Sequence, residues 1–462
     1  MNFHSYFSKA DRAVETCVIG AGGFGHSFLA QAQHVPLMNA RIAVDLDSAV
    51  AAQALRDTGA DAKRIRICTT AREAVNAWNA GDFVAASDLR VVLDLPFDVA
   101  IEATGHPEAS ARHCLAAIAA GKHIALVSKE IDSVAGPGLA KIAADKGLIV
   151  TPVDGDQPSL LIGLVSWAEV LGFELVAAGK SSEYDFVFDP SSETILSNGR
   201  TIPVPGFSRH WSMDERPVGE LTAARAQAVA ALPQRAVPDL CEMLIVANAT
   251  GLAPDRSDFH APLARPIEVP TIFSTRGDGG ILSAERRIDV FHCLRQSDEL
   301  SFAGGVFIVV ICKDRKSWDM LAEKGHVISR TGTTAMVFIP RHLLGLEAAT
   351  SVLDAAIHRV SGYGQNYRPR YDLVAIAQAD LPAGTRLAVE GHHHAIKDVG
   401  AEVRPMAVLN AAAPCPFYLA GNRTLTRPVQ KGQPILLQDL EFDLDSQLMA
   451  LRKMQDDAFS KT

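Results

Sequence analysis

A run of glycines near the start of the chain has the spacing that binds phosphate groups. In the segment CVIGAGGFGHSFLAQA, Gly20, Gly22 and Gly25 fit the pattern G-x-G-x-x-G between a predicted strand at 16–19 and a predicted helix at 25–34. The first glycine permits a tight turn, the second lets a pyrophosphate approach the backbone, and the third lets helix and strand pack closely. The N-terminus of such a helix attracts the anion. The predicted cofactor-binding loop is Gly20, Gly22, Gly23, Phe24 and Gly25.

A carboxylate follows where the ribose of such a cofactor is held. Asp45 lies 20 residues after Gly25, at the end of a second predicted strand. A carboxylate at this place hydrogen-bonds ribose hydroxyls and tends to repel a 2′-phosphate. No arginine immediately follows Asp45. The residue therefore favours NAD over NADP.

Charged side chains that could carry catalysis follow two later strands. Lys129 and Glu130 come after a predicted strand at 123–127, and Asp154 and Asp156 come after the next strand. The carboxyl ends of parallel strands face the binding crevice. Two carboxylates close together are costly without a cation, and carboxylate oxygens suit Mg²⁺ or Mn²⁺. The pattern predicts a metal site, and a turn with capping aspartates is the alternative.

Two further polar segments are candidates for binding. Lys180, Ser181 and Ser182 follow a predicted strand, and a lysine with two hydroxyls suits a phosphate, although a solvated turn fits equally well. The three adjacent histidines at 392–394 invite a metal interpretation, but adjacent residues of a strand point to opposite faces. We therefore expect a solvated loop there.

The elements that position these residues predict an α/β protein of three units. Strands and helices alternate through 1–156, which predicts a Rossmann-type parallel sheet with helices on both faces. Residues 157–370 have a mixed pattern typical of an α+β substrate and oligomerisation domain, and 185–217 within it are expected to form long loops. Residues 371–462 predict a small β-rich domain.

Two segments resemble known domains. The segment VAIEATGHPEASARHCLAAIAAGKHIALVSKE resembles the cofactor domains of homoserine-dehydrogenase-like and sugar-dehydrogenase-like enzymes. That resemblance implies that Thr104 and Gly105 line the nicotinamide end of the cofactor. Near the C-terminus, VAIAQADLPAGTRL and RPVQKGQPILLQDLE resemble the two ends of a SAF domain, a small β-clip fold.

A third resemblance concerns the reaction. SKE…PVDGDQPSLL resembles a segment of 1-deoxy-D-xylulose 5-phosphate reductoisomerase, in which two acids bind the metal and the lysine lies by the substrate. His210 and Trp211, in RHWSM, resemble the flap that closes over the substrate in that family; a loop tryptophan that is simply buried is the alternative. Asp156 and Gln157 depart from the family, which has glutamate and histidine at these places. Most of the chain resembles reductoisomerase-like proteins, which join a homoserine-dehydrogenase-like portion to a SAF-like segment.

The resemblance implies a reaction of isoprenoid precursor synthesis, in the methylerythritol phosphate pathway. NADPH would reduce 1-deoxy-D-xylulose 5-phosphate to 2-C-methyl-D-erythritol 4-phosphate, although Asp45 also admits NAD. A cation on Asp154 and Asp156 would chelate the ketone and the adjacent hydroxyl before the carbon skeleton rearranges. Lys129 would stabilise the alkoxide or shuttle a proton, and Glu130 would orient Lys129 or complete the metal shell.

Two alternatives remain open. One is another oxidoreductase, either a homoserine-dehydrogenase-like enzyme, which would use Lys129 without a metal on the aspartate pair, or an oxidoisomerase of another sugar acid. A non-enzymatic binding or assembly protein would use the SAF-like segment for a partner or a carbohydrate.

Composition limits the surroundings and the partners of the chain. The net charge of −9 and the isoelectric point near 5.9 favour neither nucleic acid nor an anionic membrane. The seven scattered cysteines contain no CxxC pair, and the first residues lack an apolar signal core. We therefore expect a cytoplasmic homodimer or homotetramer that acts on a small phosphorylated sugar.

Overall fold

The N-terminal part of the chain is a parallel sheet covered by helices. The computed structural model describes residues 2–391, 394–443 and 445–460. The strands of the first sheet in these ranges are β1 Val14–Ile19, β2 Met38–Val44, β3 Ile65–Cys68, β4 Phe83–Ala86, β5 Val99–Glu102, β6 His123–Leu126 and β7 Val150–Pro152. They lie in the order β3-β4-β2-β1-β5-β6-β7, and every pair is parallel.

The helices of this part connect the strands. They are α1 Phe3–Tyr6, α2 Gly23–Ala32, α3 Ser48–Asp57, α4 Ala71–Asn79, α5 Pro107–Ala119, α6 Lys129–Ala144 and α7 Gln157–Val170. The strand order reverses at β1, so a crevice opens beyond the carboxyl ends of β1 and β5, where dinucleotides bind in this fold. The Rossmann-type sheet expected from the sequence is confirmed.

A second, mixed sheet follows. Its strands are β8 Leu175–Ser181, β9 Phe186–Asp189, β10 Thr194–Ser197, β11 Arg200–Pro203, β12 Ala253–Pro254, β13 Leu263–Ala264, β14 Arg287–Arg295, β15 Val306–Ile311 and β16 Thr334–Ile339. The main order is β11-β10-β9-β14-β8-β15-β16, with the short β12 and β13 both paired to β14. β15 is almost wholly buried, which explains its unbroken apolar sequence VFIVVI.

The helices of the middle part are mostly short. They are α8 Val218–Ala228, α9 Val237–Thr250, α10 Val269–Ile272, α11 Arg315–Glu323 and α12 Ala349–Leu353. The expectation of long loops across 185–217 is wrong in part, because three antiparallel strands, β9 to β11, lie in that segment. Glu193 has positive φ at the first turn, and Asn198 and Gly199 both have positive φ at the second, where Asn-Gly is a usual hairpin signal.

The C-terminal part is a small antiparallel sheet with two helices. The strands are β17 Tyr371–Ala377, β18 Val389–Glu390, β19 Ala395–Ile396 and β20 Val399–Pro405, and the helices are α13 Phe417–Ala420 and α14 Gln447–Phe459. α14 packs on α5 and α6 of the first part. Arg452 of α14 is buried and makes a bidentate ion pair with Asp372 of β17, which ties the helix to this sheet. The mixed α/β class with a small β-rich unit is confirmed, while the domain boundaries stay a prediction.

Helix hydropathy and thiol chemistry are two further properties of the described residues. In the described ranges, no helix has both the length and the hydropathy of a membrane span. All seven cysteines are free thiols, and six of them are buried. Burial raises the pKa of Cys293 to about 12, so this thiol stays protonated at neutral pH.

Candidate active site

The glycine loop forms an open cradle at the start of α2. Gly20 has φ +94°, and a Cβ added to Gly25 would lie 2.0 Å from the carbonyl oxygen of Gly20. Only glycine therefore fits these two places. A Cβ added to Gly22 or Gly23 would meet no atom of the described residues within 4 Å, so the backbone here is accessible to a ligand.

The chemistry of this cradle fits a dinucleotide. Gly22 caps α2 without a side-chain hydrogen bond, which leaves the positive end of the helix open to an anion. Asp45 is half-buried beside the loop, and its Oδ2 accepts a hydrogen bond from the Ala21 N–H at 2.8 Å. The carboxylate expected to hold the ribose is thus fixed against the glycine loop. A pyrophosphate would lie on Gly22 and Gly23.

A cavity of about 490 Å³ extends from the cradle into the space between the two larger sheets. Its lining includes Gly22, Gly23 and Phe24 of the cradle. The predicted residues that also line this cavity are Thr104, Gly105, Lys129, Glu130, Asp156, Lys180 and Ser182. The structure therefore brings most of the predicted site into one space, and the second sheet closes it.

The centre of the cavity is a buried network of opposite charges. Glu242 of α9 forms two ion pairs, one between its Oε1 and Lys129 and one between its Oε2 and Lys180. Lys180 Nζ also lies 2.9 Å from Asp239 Oδ1, and Ser182 Oγ donates to Asp239 Oδ2 at 2.7 Å. The candidate phosphate residues Lys180 and Ser182 are thus already engaged with carboxylates.

The lysines set the protonation state of this network. Burial alone would raise the pKa of Glu242, but the two ammonium groups hold it at about 2. Burial alone would lower the pKa of Lys129, but Glu242, Asp156 and Glu130 raise it well above its ordinary value. Both partners are therefore charged at neutral pH. Lys129 keeps a quarter of its side chain exposed to the cavity, whereas Lys180 is almost wholly buried.

The two predicted metal ligands have different surroundings. Asp156 caps α7, lines the cavity, and has a pKa raised by burial and by Glu242, against the opposing effect of Lys129. Asp154 is not part of the cavity lining. Its carboxylate accepts hydrogen bonds from Ser159 Oγ at 2.7 Å and from Thr350 Oγ1.

This arrangement does not fit a metal held by the aspartate pair. Hydroxyl donors occupy both oxygens of Asp154, and the acidic cluster around Asp156 already contains two lysine ammonium groups. Among the described residues, no group of three or more His, Cys, Asp or Glu side chains could hold a metal ion. Glu130, which we expected to orient Lys129 or to complete the metal shell, has a different partner: His394 Nδ1 lies 3.0 Å from its Oε1.

The residues at the predicted nicotinamide end are held by polar contacts. Gly105 has φ +68°, and its N–H donates to Ser128 Oγ at 2.8 Å. Thr104 Oγ1 donates to the buried carboxylate of Glu102 at 2.6 Å. These contacts fix the loop after β5 directly beside the first residue of α6.

Three predicted substrate-binding residues lie outside the cavity lining. Ser181 is fully buried in β8. His210 and Trp211 belong to the unit around β9, where the Trp211 ring centroid lies 5.6 Å from that of Phe188 and the Arg265 guanidinium carbon lies 4.5 Å from that indole ring. These contacts agree with the alternative interpretation of Trp211, a loop tryptophan that is packed among its neighbours.

Sequence reasoning missed several residues of the cavity, among them four that belong to α9 and to two later loops. Asp239 and Glu242 come from α9, His342 from the loop after β16, and His394 from the loop between β18 and β19. The one available signal was the pair of acids in an otherwise apolar helix, VPDLCEMLIVANAT. His394 belongs to the histidine run expected to be solvated; His392 and His393 lie outside the described residues.

Comparison with known proteins supports an oxidoreductase. A family model described as the catalytic domain of oxidoreductase DRL matches residues 235–348. This segment supplies Asp239, Glu242 and His342 to the cavity. No curated protein sequence matches the chain. The family match and the glycine cradle together support an NAD(P)-dependent oxidoreductase of Rossmann type.

Similar solved structures share little sequence with the chain. An oxidoreductase from Bacillus cereus is 12% identical over 77% of this chain and 92% of that chain, with a TM-score of 0.36. Myo-inositol dehydrogenase from Lactobacillus casei, in complex with NAD(H) and myo-inositol, is 18% identical over 39% of this chain and 48% of its own, with a TM-score of 0.27. DOX-P reductoisomerase in complex with NADPH, fosmidomycin and magnesium is 17% identical over 39% of this chain and 48% of its own, also with a TM-score of 0.27. The chain thus spans about half the length of the last two, and these similarities assign no reaction.

Proposed function

We propose that this protein transfers hydride between a nicotinamide cofactor and the carbonyl carbon of a small oxygenated substrate, with Lys129 as the proton donor. One observation carries the proposal. Lys129 opens α6 in the same cavity as the glycine cradle, and its ammonium group is held there by the buried carboxylate of Glu242. A bound NAD(P)H would supply the hydride.

The residues of the chain would bind and protonate the substrate oxygen. The Lys129 ammonium group donates a hydrogen bond to the carbonyl oxygen and gives up a proton as the carbonyl becomes an alcohol. Glu242 holds Lys129 in place and keeps it charged before the reaction. Lys180 supplies the second positive charge on Glu242, so the network keeps its shape when the proton leaves Lys129.

Asp45 supports NADH over NADPH as the preferred reductant. Its carboxylate is held by the Ala21 N–H at the ribose end of the cradle. A negative charge fixed there repels the 2′-phosphate of NADP. This preference separates the proposed reaction from the reductoisomerase reaction, which uses NADPH.

A second candidate is the reduction and rearrangement of 1-deoxy-D-xylulose 5-phosphate. The observation in its favour is that Lys129, Glu130 and Asp156, three residues of the segment that resembles the reductoisomerases, line one cavity. The surroundings of Asp154 do not favour it, because that carboxylate is bound by two hydroxyls. Simple hydride transfer needs no change in these contacts and is therefore the first choice.

The test is a substrate panel with the purified full-length protein. NADH or NADPH oxidation is followed with aldehydes, ketones and 1-deoxy-D-xylulose 5-phosphate, each with and without added Mn²⁺. We expect NADH oxidation that does not depend on the cation. Consumption of NADPH only with 1-deoxy-D-xylulose 5-phosphate and Mn²⁺ would favour the second candidate. A protein that leaves the fluorescence of both reduced cofactors unchanged would contradict both.

A further inference from the structure

The C-terminal unit places a histidine in the cavity described above. His394 lies between β18 and β19, has φ +48°, and lines the cavity together with Gly105 and Glu130. A Cβ added to Gly105 would lie 2.7 Å from Cε1 of the His394 ring. The imidazole therefore lies directly on the backbone at the predicted nicotinamide end. Only a fifth of its side chain is exposed.

Glu130 sets the hydrogen-bonding role of this ring. His394 Nδ1 lies 3.0 Å from Glu130 Oε1, and that carboxylate is itself 9% exposed. Because a carboxylate oxygen accepts hydrogen bonds, Nδ1 carries a hydrogen, and in the tautomer with no hydrogen on Nε2 this second nitrogen is an acceptor. In the described part of the chain the structure gives Nε2 no hydrogen-bond partner.

The cavity is thus lined by a donor, Lys129, and by an acceptor, His394. Lys129 is a donor only, since an ammonium group has no lone pair. Nε2 of His394 accepts from a hydroxyl. A substrate with a hydroxyl next to its carbonyl satisfies both groups, whereas a simple ketone leaves the imidazole without its bond.

We propose that His394 of the C-terminal unit is a substrate-contacting residue, with Glu130 as its positioning residue, and that the substrates are hydroxycarbonyl compounds. This assignment rests on the proposed hydride transfer at Lys129 and names its substrate class. It also gives the C-terminal unit a direct part in substrate selection.

The test compares three ketones that differ in the number of hydroxyls: dihydroxyacetone, hydroxyacetone and acetone. Each is reduced by the full-length protein with NADH and with NADPH. We expect His394→Ala to lower kcat/KM for the two hydroxyketones about 10–100-fold and for acetone less than about threefold, since a lost hydrogen bond to a neutral group costs one to two factors of ten. His394→Gln keeps an acceptor oxygen and is expected to recover part of the loss.

Matched variants separate this role from a structural one. Glu130→Gln weakens the hold on Nδ1 and is expected to show the same selective loss for the hydroxyketones, but a smaller one. His326→Ala makes the same change at an exposed histidine outside the cavity and is expected to leave all three values unchanged. Equal losses of His394→Ala on all three ketones would overturn the assignment.

Binding provides a readout that does not need turnover. Propane-1,2-diol and propan-1-ol are titrated calorimetrically into the NAD⁺-loaded protein. We expect the diol to bind more tightly, and His394→Ala to remove the difference. If neither the diol nor any of the three ketones binds while the cofactor does, the hydroxycarbonyl assignment is wrong and hydride transfer on another carbonyl stands. If no nicotinamide cofactor binds, the proposed function itself fails.

Discussion

Glu242 and Asp132 are both buried carboxylates that accept two hydrogen bonds, and their environments shift their acidities in opposite directions. Glu242 lies between the ammonium groups of Lys129 and Lys180, which hold its pKa at about 2 although burial alone would raise it. Asp132 of α6 accepts hydrogen bonds from the hydroxyls of Tyr363 and Tyr367, and burial raises its pKa to about 6.

The difference lies in the charge of the donors. A neutral hydroxyl stabilises a carboxylate less than a full positive charge does, so two tyrosines do not cancel the cost of burial at Asp132. The two groups also differ in access. Glu242 lines the cavity, whereas Asp132 lies outside its lining and is packed so closely that a Cβ on Gly136 would lie 1.7 Å from its Oδ1. Ammonium groups therefore keep a strongly acidic carboxylate in the cavity, whereas tyrosine hydroxyls hold a carboxylate of raised pKa in the core.

The strongest test of this contrast removes the cation that faces the cavity. Lys129→Met is expected to lower kcat about 10²–10⁴-fold, the usual contribution of a positioned general acid. Binding of NADH, followed by its fluorescence, should change little because the glycine cradle is untouched. Lys141→Met is the matched control on the same helix, since its ion pair with Asp145 is exposed. A Lys129→Met variant with more than a tenth of normal turnover would show that the paired charges are structural.

Removing the anion instead should affect stability. Glu242→Gln leaves Lys129 and Lys180 without their shared carboxylate, and breaking a buried ion pair costs about 3–5 kcal/mol. We expect a loss of that size in the free energy of unfolding measured with urea. Glu169→Gln, at an exposed ion pair with Arg286, should cost less than about 1 kcal/mol. Similar values for the two variants would mean that the buried network contributes no more than a surface pair.

Asp132→Asn should have a smaller effect and spare the reaction. The amide offers only one acceptor oxygen, so one tyrosine hydroxyl loses its bond, at a cost of about 1–2 kcal/mol near pH 5. Turnover with NADH should stay within a factor of about three, because Asp132 contacts neither the cradle nor Lys129. Tyr363→Phe is the matched variant that removes one donor and keeps the carboxylate. A large loss of activity in Asp132→Asn would place this cluster in the site.

The same contrast explains what the sequence could predict. The glycine loop can be predicted from the sequence because its function depends on residues within one turn. Lys129 and Asp156 can be predicted because the carboxyl ends of parallel strands share one edge of the sheet. Glu242 lies 113 residues from Lys129, and His394 lies 264 residues from Glu130. No local spacing encodes such contacts, because they arise only when the second sheet and the C-terminal unit close over the first.

Asp154 shows a different limit of prediction from the sequence. An Asp-Gly-Asp turn is compatible both with a metal site and with capping, and the choice depends on what packs against each carboxylate. Thr350, 196 residues away, donates to Asp154, while Lys129 faces Asp156 from a neighbouring strand end. Tertiary packing therefore assigns different partners to two identical side chains in one turn.

The final prediction uses the pH dependence of stability. The folded chain binds more protons at Asp132 than the unfolded chain between about pH 4 and pH 6, so the contribution of Asp132 to stability falls as pH rises through this window. The unfolded chain binds more protons at Glu242 between about pH 2 and pH 4.5, so the contribution of Glu242 rises with pH and is fully present above that window.

Urea unfolding of Asp132→Asn and Glu242→Gln between pH 3.5 and pH 6.5 measures how the free energy of unfolding of each variant changes with pH. The stability of Asp132→Asn relative to the unaltered protein should increase from pH 4 to pH 6, by about 1–3 kcal/mol for a pKa difference of this size. The stability of Glu242→Gln relative to the unaltered protein should decrease from pH 3.5 to pH 4.5 and then stay constant. Titrations of groups that are not coupled to Asp132 or Glu242 are common to the variants and the unaltered protein, so they cancel from these differences. Slopes of the same sign would show that the tyrosine hydroxyls stabilise a carboxylate as well as the lysines do, and that the two clusters do not differ in kind.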